Sequence, residues 1–219
     1  MNLDFLKNHI EKCINNAFSN KSKLDYNILN IDGLSGYKTR HFYNNVCNLD
    51  NINYVEIGTW KGSSIISALY KNKVKATCID NWSEMGGPVN EFKNNLSLYL
   101  NKNTDSELTI IEKDCFTLTN KDIIEPIDIF MYDGEHTYES HKKAISYFKD
   151  FFAKYVIILV DDWVFRDYIR QGTYDGINIA ELKIHYFKEI GLVNTNDFNT
   201  SGDTFWNGCG VFICERTDI

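Results

Sequence analysis

Short apolar runs recur along the chain, and most are followed by turn residues and then by apolar positions at helical spacing. Leu3, Leu6, Ile10, Cys13 and Ala17 lie at helical intervals among Asp4, Lys7, Asn8, Glu11 and Lys12. That pattern predicts an amphipathic helix and not a signal peptide. A polar stretch over 19–27, a turn at Gly33, Leu34, Ser35 and Gly36, and a short helix over 38–47 lead into residues 54–57, which are short, β-favouring and read as a buried central strand. Further strands are predicted at 74–79, 108–112, 127–132 and 155–160. The last is a continuous apolar run, as expected where both faces of a strand are covered. Helices are predicted over 65–70, on a face carrying Phe92, Leu96 and Leu100, over 136–152 with Ala144, Phe148 and Phe151 inward, and on a face using Ile177, Ala180, Ile184 and Phe187. Residues 192–198 and 205–215 read as a closing hairpin around 200–203.

Five β-α units followed by a hairpin predict an α/β fold: a Rossmann-like, doubly wound, seven-stranded sheet, mostly parallel with one late antiparallel strand, and with extra N-terminal helices. The 219 residues suit one domain, with 1–50 as a helical cap segment and 51–219 as the α/β core. Only Pro88 and Pro126 are prolines, so no proline-rich linker divides the chain.

Composition narrows the function classes. Hydrophobic residues make up 43% and charged residues 24%, as in ordinary globular proteins. A net charge of −7, with no Lys/Arg cluster longer than the pair Lys142 and Lys143, argues against a general nucleic-acid binder. No apolar run approaches the length of a membrane span. Cys13, Cys47, Cys78, Cys115, Cys209 and Cys214 contain no C-x-x-C pair. A zinc ribbon is therefore not expected, and the cysteines read as reduced, in a cytoplasmic compartment.

The chemistry concentrates at strand ends. After residues 54–57, Gly58 and Gly62 bracket a turn, and Ser63 or Ser64 can cap the next helix. Strand, glycine turn and helix start let a backbone approach a nucleotide-like ligand closely, although a glycine turn serves any α/β protein too. The dinucleotide pattern G-x-G-x-x-G is missing, which disfavours an NAD-dependent oxidoreductase. Four later strands end in Asp80, Asp114, Asp133, and the pair Asp161 and Asp162. In an open α/β sheet these ends form the ligand crevice, though any single Asp there can equally cap a helix. Asp80 follows Gly58 by 22 residues and can accept from a ribose diol. Asp114 and Cys115 are placed for an adenine amino group. Trp82, next to Asn81 in the loop that holds Met85 to Pro88, can pack on adenine or close the core.

Asp133, Asp161 and Asp162 would repel one another unless a cation sits among them, and all-oxygen ligands favour Mg²⁺, Ca²⁺ or Mn²⁺. Alternatively one of the acidic pair points away and caps a helix. His136, three residues after Asp133, can face the same space and act as a general base, or bond only to solvent or a carboxylate. His141 reads as a surface residue.

The acid two before the first glycine, with the second glycine four after it, resembles motif I of class I S-adenosylmethionine (SAM) methyltransferases. With the D-G-x-H segment at Asp133–His136 and the acidic pair, the chain resembles more narrowly the branch of macrocin- and mycinamicin-type sugar O-methyltransferases and cephalosporin-hydroxylase-associated proteins, over about residues 33–160. The resemblance implies SAM held by Glu56, Gly58, Thr59, Gly62, Ser63, Asp80, Asn81, Trp82, Asp114, Cys115 and Asp133. It implies Mg²⁺ on Asp133, Asp161 and Asp162, gripping two vicinal hydroxyls, with His136 as base beside Asp133. The branch often has Glu-Asp where this chain has Asp161 and Asp162. A small-molecule or glycan acceptor, no nucleic acid and a homo-oligomer are the expected partners. The acceptor pocket would come from Trp60, the 82–88 loop and the 163–174 loop. A catechol-type acceptor, or a non-catalytic SAM-binding module, are the alternatives.

Overall fold

The computed structural model describes residues 2–101, 103–123, 126–164, 166–191 and 204–219. Among these, β1 (Asn53–Ile57), β2 (Lys75–Asp80), β3 (Glu107–Glu112), β4 (Ile127–Tyr132), β5 (Phe152–Asp161), β6 (Leu182–Ile190) and β7 (Cys209–Arg216) form one sheet in the order β3-β2-β1-β4-β5-β7-β6. Strand β7 runs antiparallel to both its neighbours, and the other pairings are parallel. The helices are α1 (Leu3–Phe18), α2 (Tyr26–Leu29), α3 (Tyr37–Val46), α4 (Ser63–Leu69), α5 (Val89–Tyr99), α6 (Tyr138–Phe148) and α7 (Asp167–Ile179). None is long and apolar enough to cross a membrane.

Both faces of the sheet are covered. Ile157 and Leu159 of β5 pack with residues of α1, α3 and α4, whereas Val156, Ile158 and Val160 pack with residues of α6 and α7. This double burial is why β5 reads as an unbroken apolar run, and each such side chain contributes roughly 1.5–3 kcal/mol. Strand β1 pairs with β2 on one side and β4 on the other, both in parallel. The winding direction therefore reverses at β1, and the crevice of the fold opens above its carboxyl end.

Gly58 fixes that opening. Its φ is +83°, and a Cβ there would overlap the carbonyl oxygen of Asp133. The tips of β1 and β4 thus touch, with Asp133 N donating to Ile57 O at 2.9 Å. On the cap side, the buried guanidinium of Arg40 donates to the carbonyls of Ile28, Leu29 and Ile31 and to Ser35 Oγ. It folds the 28–35 loop against α3 and holds Leu34 and Ser35 beside the crevice.

Several boundaries differ from the sequence expectation. Ile184 and Phe187 belong to β6, not to the preceding helix, which ends at Ile179. Their spacing continued a helical face by coincidence. Glu181 turns left-handed at φ 54°, and pairing with β7 decides the rest. The strand expected at 192–198 and the turn at 200–203 lie outside the described residues. Helix α6 starts at Tyr138 because Thr137 caps it, in a capping box with Ser140. His136 therefore stands just before the helix and not in its first turn. Gly62 is the N-cap of α4 and supplies no side-chain cap, so Ser63 and Ser64 lie inside that helix. His141 is buried at 1% exposure and not on the surface.

Candidate active site

A cavity of about 500 Å³ lies over the carboxyl ends of β1, β2, β4 and β5. The sequence-predicted residues Gly58, Thr59, Ser63, Asp80, Asn81, Trp82, Asp114, Cys115, Asp133, His136, Asp161 and Asp162 all line it, and Asp80 and Asp133 share it. Glu56 and Gly62 are not in its wall among the described residues.

On one side, Asp80 stitches two loops together. Its Oδ2 accepts from Thr59 N and Trp60 N, both at 2.8 Å, and its Oδ1 accepts from Trp82 N at 2.7 Å. The Trp82 indole then donates to Trp60 O at 2.9 Å. A carboxylate offers about four acceptor sites, so the backbone leaves Asp80 one, on Oδ1, for a ligand hydroxyl. Trp82 is both core and wall: it is 7% exposed, packs on Phe92 at 5.1 Å and lines the cavity. Asp114 Oδ1 accepts from Phe116 N at 2.8 Å and caps the short turn Cys115–Thr117, which forms the outer end of the wall.

Glu56 sits beneath the glycine turn, fully buried. Ser64 Oγ and Tyr54 OH donate to its two oxygens, each at 2.6 Å. Burial pushes its carboxyl up to about 8, against the pull of those two hydroxyls. It braces the turn from below.

On the other side, His136 Nε2 lies 3.2 Å from Asp133 Oδ1 and 3.2 Å from Asp162 Oδ2. Burial lowers the imidazole pKa, but the bond to Asp133 and the charges of Asp133 and Asp162 together raise it to about 9. Burial pushes Asp133 up to about 6 against the opposing pull of His136. Asp161, buried and close to Asp133 and Asp162, is raised well above the carboxylate range. At neutral pH His136 is therefore an imidazolium lying between two carboxylates. Asp161 turns elsewhere and accepts from Tyr43 OH at 3.1 Å. Asp162, left-handed at φ 54°, accepts from Asn207 Nδ2 at 2.7 Å through its other oxygen.

For Mg²⁺ the donor set has the right chemistry, but it does not close. His136 takes the space between Asp133 and Asp162, and Asp161 is tied to Tyr43. Among the described residues, no three His, Cys, Asp or Glu side chains are grouped to hold an ion.

Tyr43, Trp206 and Asn207 are cavity residues that the sequence did not single out. Tyr43 comes from α3, 118 residues before its partner Asp161, and carries no local signal. Asn207 falls inside the strand expected at 205–215, but β7 begins only at Cys209, which leaves Trp206 and Asn207 in the loop before it. Conversely, Trp163 does not shape the acceptor side. It is fully buried against Tyr174 and Phe212, and its indole donates to Glu189 at 2.6 Å.

The fold is a Rossmann-like doubly wound sheet with a glycine turn, a strand-end carboxylate and an acid–imidazole cluster around one crevice. Residues 55–163, just under half of the chain, match the family described as a methyltransferase domain. No curated protein matches the sequence. Solved structures share the fold at low identity. An O-methyltransferase from Bacillus cereus, in complex with S-adenosylhomocysteine (SAH), superposes with a TM-score of 0.55 at 13% identity, over 95% of this chain and 91% of that one. TYW2 from M. jannaschii, in complex with AdoMet, gives 0.52 at 14% identity, over 81% and 74%. A Streptococcus mutans protein described as a SAM-dependent methyltransferase gives 0.55 at 10% identity over 82% of this chain, which spans only 48% of that one.

Proposed function

We propose that the protein transfers the SAM methyl group to a hydroxyl oxygen of a small acceptor, with His136 as the base. The carrying observation is the position of His136 Nε2 between Asp133 and Asp162, on the wall of the cavity that also holds the Asp80-stitched loops. SAM would lie along β1 and β2, its ribose on the remaining acceptor site of Asp80 with Asn81 beside it, and its adenine toward Asp114, Cys115 and Phe116. Thr59 and Ser63 lie at the glycine turn, where the methionine part would rest.

An acceptor oxygen attacks the methyl carbon as the carbon–sulfur bond breaks. The sulfonium becomes a neutral thioether, and the hydroxyl proton passes to the lone pair of neutral His136 on Nδ1, because Nε2–H faces the two carboxylates. Placement in line supplies much of the rate, because the reaction needs oxygen, carbon and sulfur on one axis. An aliphatic hydroxyl is a poor nucleophile until its proton is removed, which is the task of the imidazole. Only neutral His136 can accept that proton, and its two carboxylate partners orient it and stabilise the charge it gains.

The acceptor favoured is a sugar or glycan hydroxyl, in keeping with the D-G-x-H segment. A catechol is the competing acceptor, which the aromatic side chains of Trp60 and Trp206 would suit equally. The test is incubation with SAM and a panel of methyl glycosides and dihydroxybenzoates, read by mass spectrometry, with and without EDTA. Methylated glycoside supports the proposal. SAM left unchanged with every acceptor contradicts it.

A further inference from the structure

The connection that enters β7 is built into the site at both ends. Lys38 N donates to Thr204 O at 3.0 Å, and a Cβ on Gly36 would overlap that same carbonyl, so the segment starts hard against α3. At its other end Val164 N donates to Asn207 O at 3.0 Å and Trp163 N to Gly208 O at 3.3 Å. Between these anchors Trp206 is held left-handed, at φ 51°. Such a backbone is strained for a bulky residue and persists where its surroundings over-determine it. Of the nine non-glycine residues with positive φ among the described residues, Trp60, Trp82, Met85, Asp162 and Trp206 all line the cavity. The strain is thus concentrated where ligand would be held.

The two central residues of this strap face the chemistry. Asn207 Nδ2 binds Asp162 Oδ1 at 2.7 Å, which leaves Oδ2 for His136 at 3.2 Å. A neutral amide donating to a carboxylate makes a strong, directional bond without cancelling its charge. Trp206, the preceding residue, lines the same cavity as His136.

We propose that residues 204–208 are the acceptor-selecting element of the cavity. Asn207 is a positioning residue that orients Asp162 toward His136, and Trp206 is the face against which the ring of a cyclic, hydroxyl-bearing acceptor packs. This rests on the O-methyl-transfer reading above. A pyranose and a catechol both present such a ring, and the two arms of the test separate them.

Methyl β-D-glucopyranoside and 3,4-dihydroxybenzoate serve as probes, with SAH affinity followed by calorimetry. Trp206→Ala should raise the KM of the ring acceptor about tenfold, roughly the worth of one aromatic packing contact, while SAH binding stays within about twofold. Trp206→Phe should restore the KM. Asn207→Leu should lower kcat about tenfold without changing KM, Asn207→Gln should recover part of it, and adding Asn207→Leu to Asp162→Asn should cost nothing further. Equal weakening of SAH and acceptor by Trp206→Ala, or additive losses in the double variant, would overturn the proposal. If the wild type methylates neither probe, the O-methyl-transfer reading fails first. The ring ¹⁵N signals of His136 then decide the role of Asn207. They should move in Asn207→Leu and stay put when the same change is made on Asp162→Asn, and no movement in Asn207→Leu overturns it.

Discussion

The rings of His136 and His141 lie 6.2 Å apart, yet their surroundings push the two imidazole pKa values in opposite directions. Asp133 and Asp162 outweigh burial and raise His136 to about 9, while burial and the charge on His136 bring His141 down to about 3. His141 packs edge-on against Tyr132 at 4.9 Å, and neither of its ring nitrogens has a partner among the described residues. It is a neutral filler behind the base. Replacing it with Phe keeps the aromatic packing and removes two unsatisfied polar atoms. His141→Phe is expected to hold or raise unfolding stability, by about 1–2 kcal/mol, in a urea titration.

His136→Ala is expected to leave SAH affinity unchanged and to lower turnover by about 10²–10⁴-fold, the usual worth of a positioned base. In the wild type the neutral imidazole becomes more abundant as pH rises, so kcat should climb from pH 7 toward about 9 and then level. Normal turnover by His136→Ala would remove it from the chemistry.

Fold stability should run the other way with pH. Glu56, Asp133 and His136 all have folded pKa values above their ordinary ones, at about 8, 6 and 9. Each contribution is fully present below the unfolded pKa and is lost as pH rises through the folded value. Asp25, held low by the Tyr70 hydroxyl, has the opposite sign and loses its contribution in acid. Stability should therefore peak at about pH 4 and fall steadily to pH 9. Glu56→Gln should flatten the part of that fall between about 4.5 and 8, a difference on the order of a few kcal/mol.

Asp80→Ala removes the acceptor of three backbone N–H groups as well as the proposed ribose contact. It is expected to weaken SAH about a hundredfold or more and to lower the melting temperature. Asp80→Asn, which keeps an acceptor oxygen, should lose less of both.

Much of this was legible in the sequence. The period-2 and period-3.6 patterns placed β1 to β4 within two residues, because those strands are short and bounded by polar turns. The strand-end carboxylates could be assigned to one crevice from the winding rule alone. Two kinds of feature were hidden. Long-range pairing overrode local periodicity at Ile184 and Phe187, which continue a helical face yet lie on β6. Contacts distant in sequence, Tyr43 with Asp161 and Asn207 with Asp162, leave no pattern in either segment. Glu56 was legible as an acid near the first glycine, but not as a buried one supporting the turn from beneath.

The most direct measurement is a crystal structure of the protein with SAH. The thioether sulfur should face the gap between His136 and Trp206, with the ribose on Asp80 and the adenine at Asp114 to Phe116. SAH bound outside this cavity, or bound in it with its sulfur turned away from His136, would contradict the account.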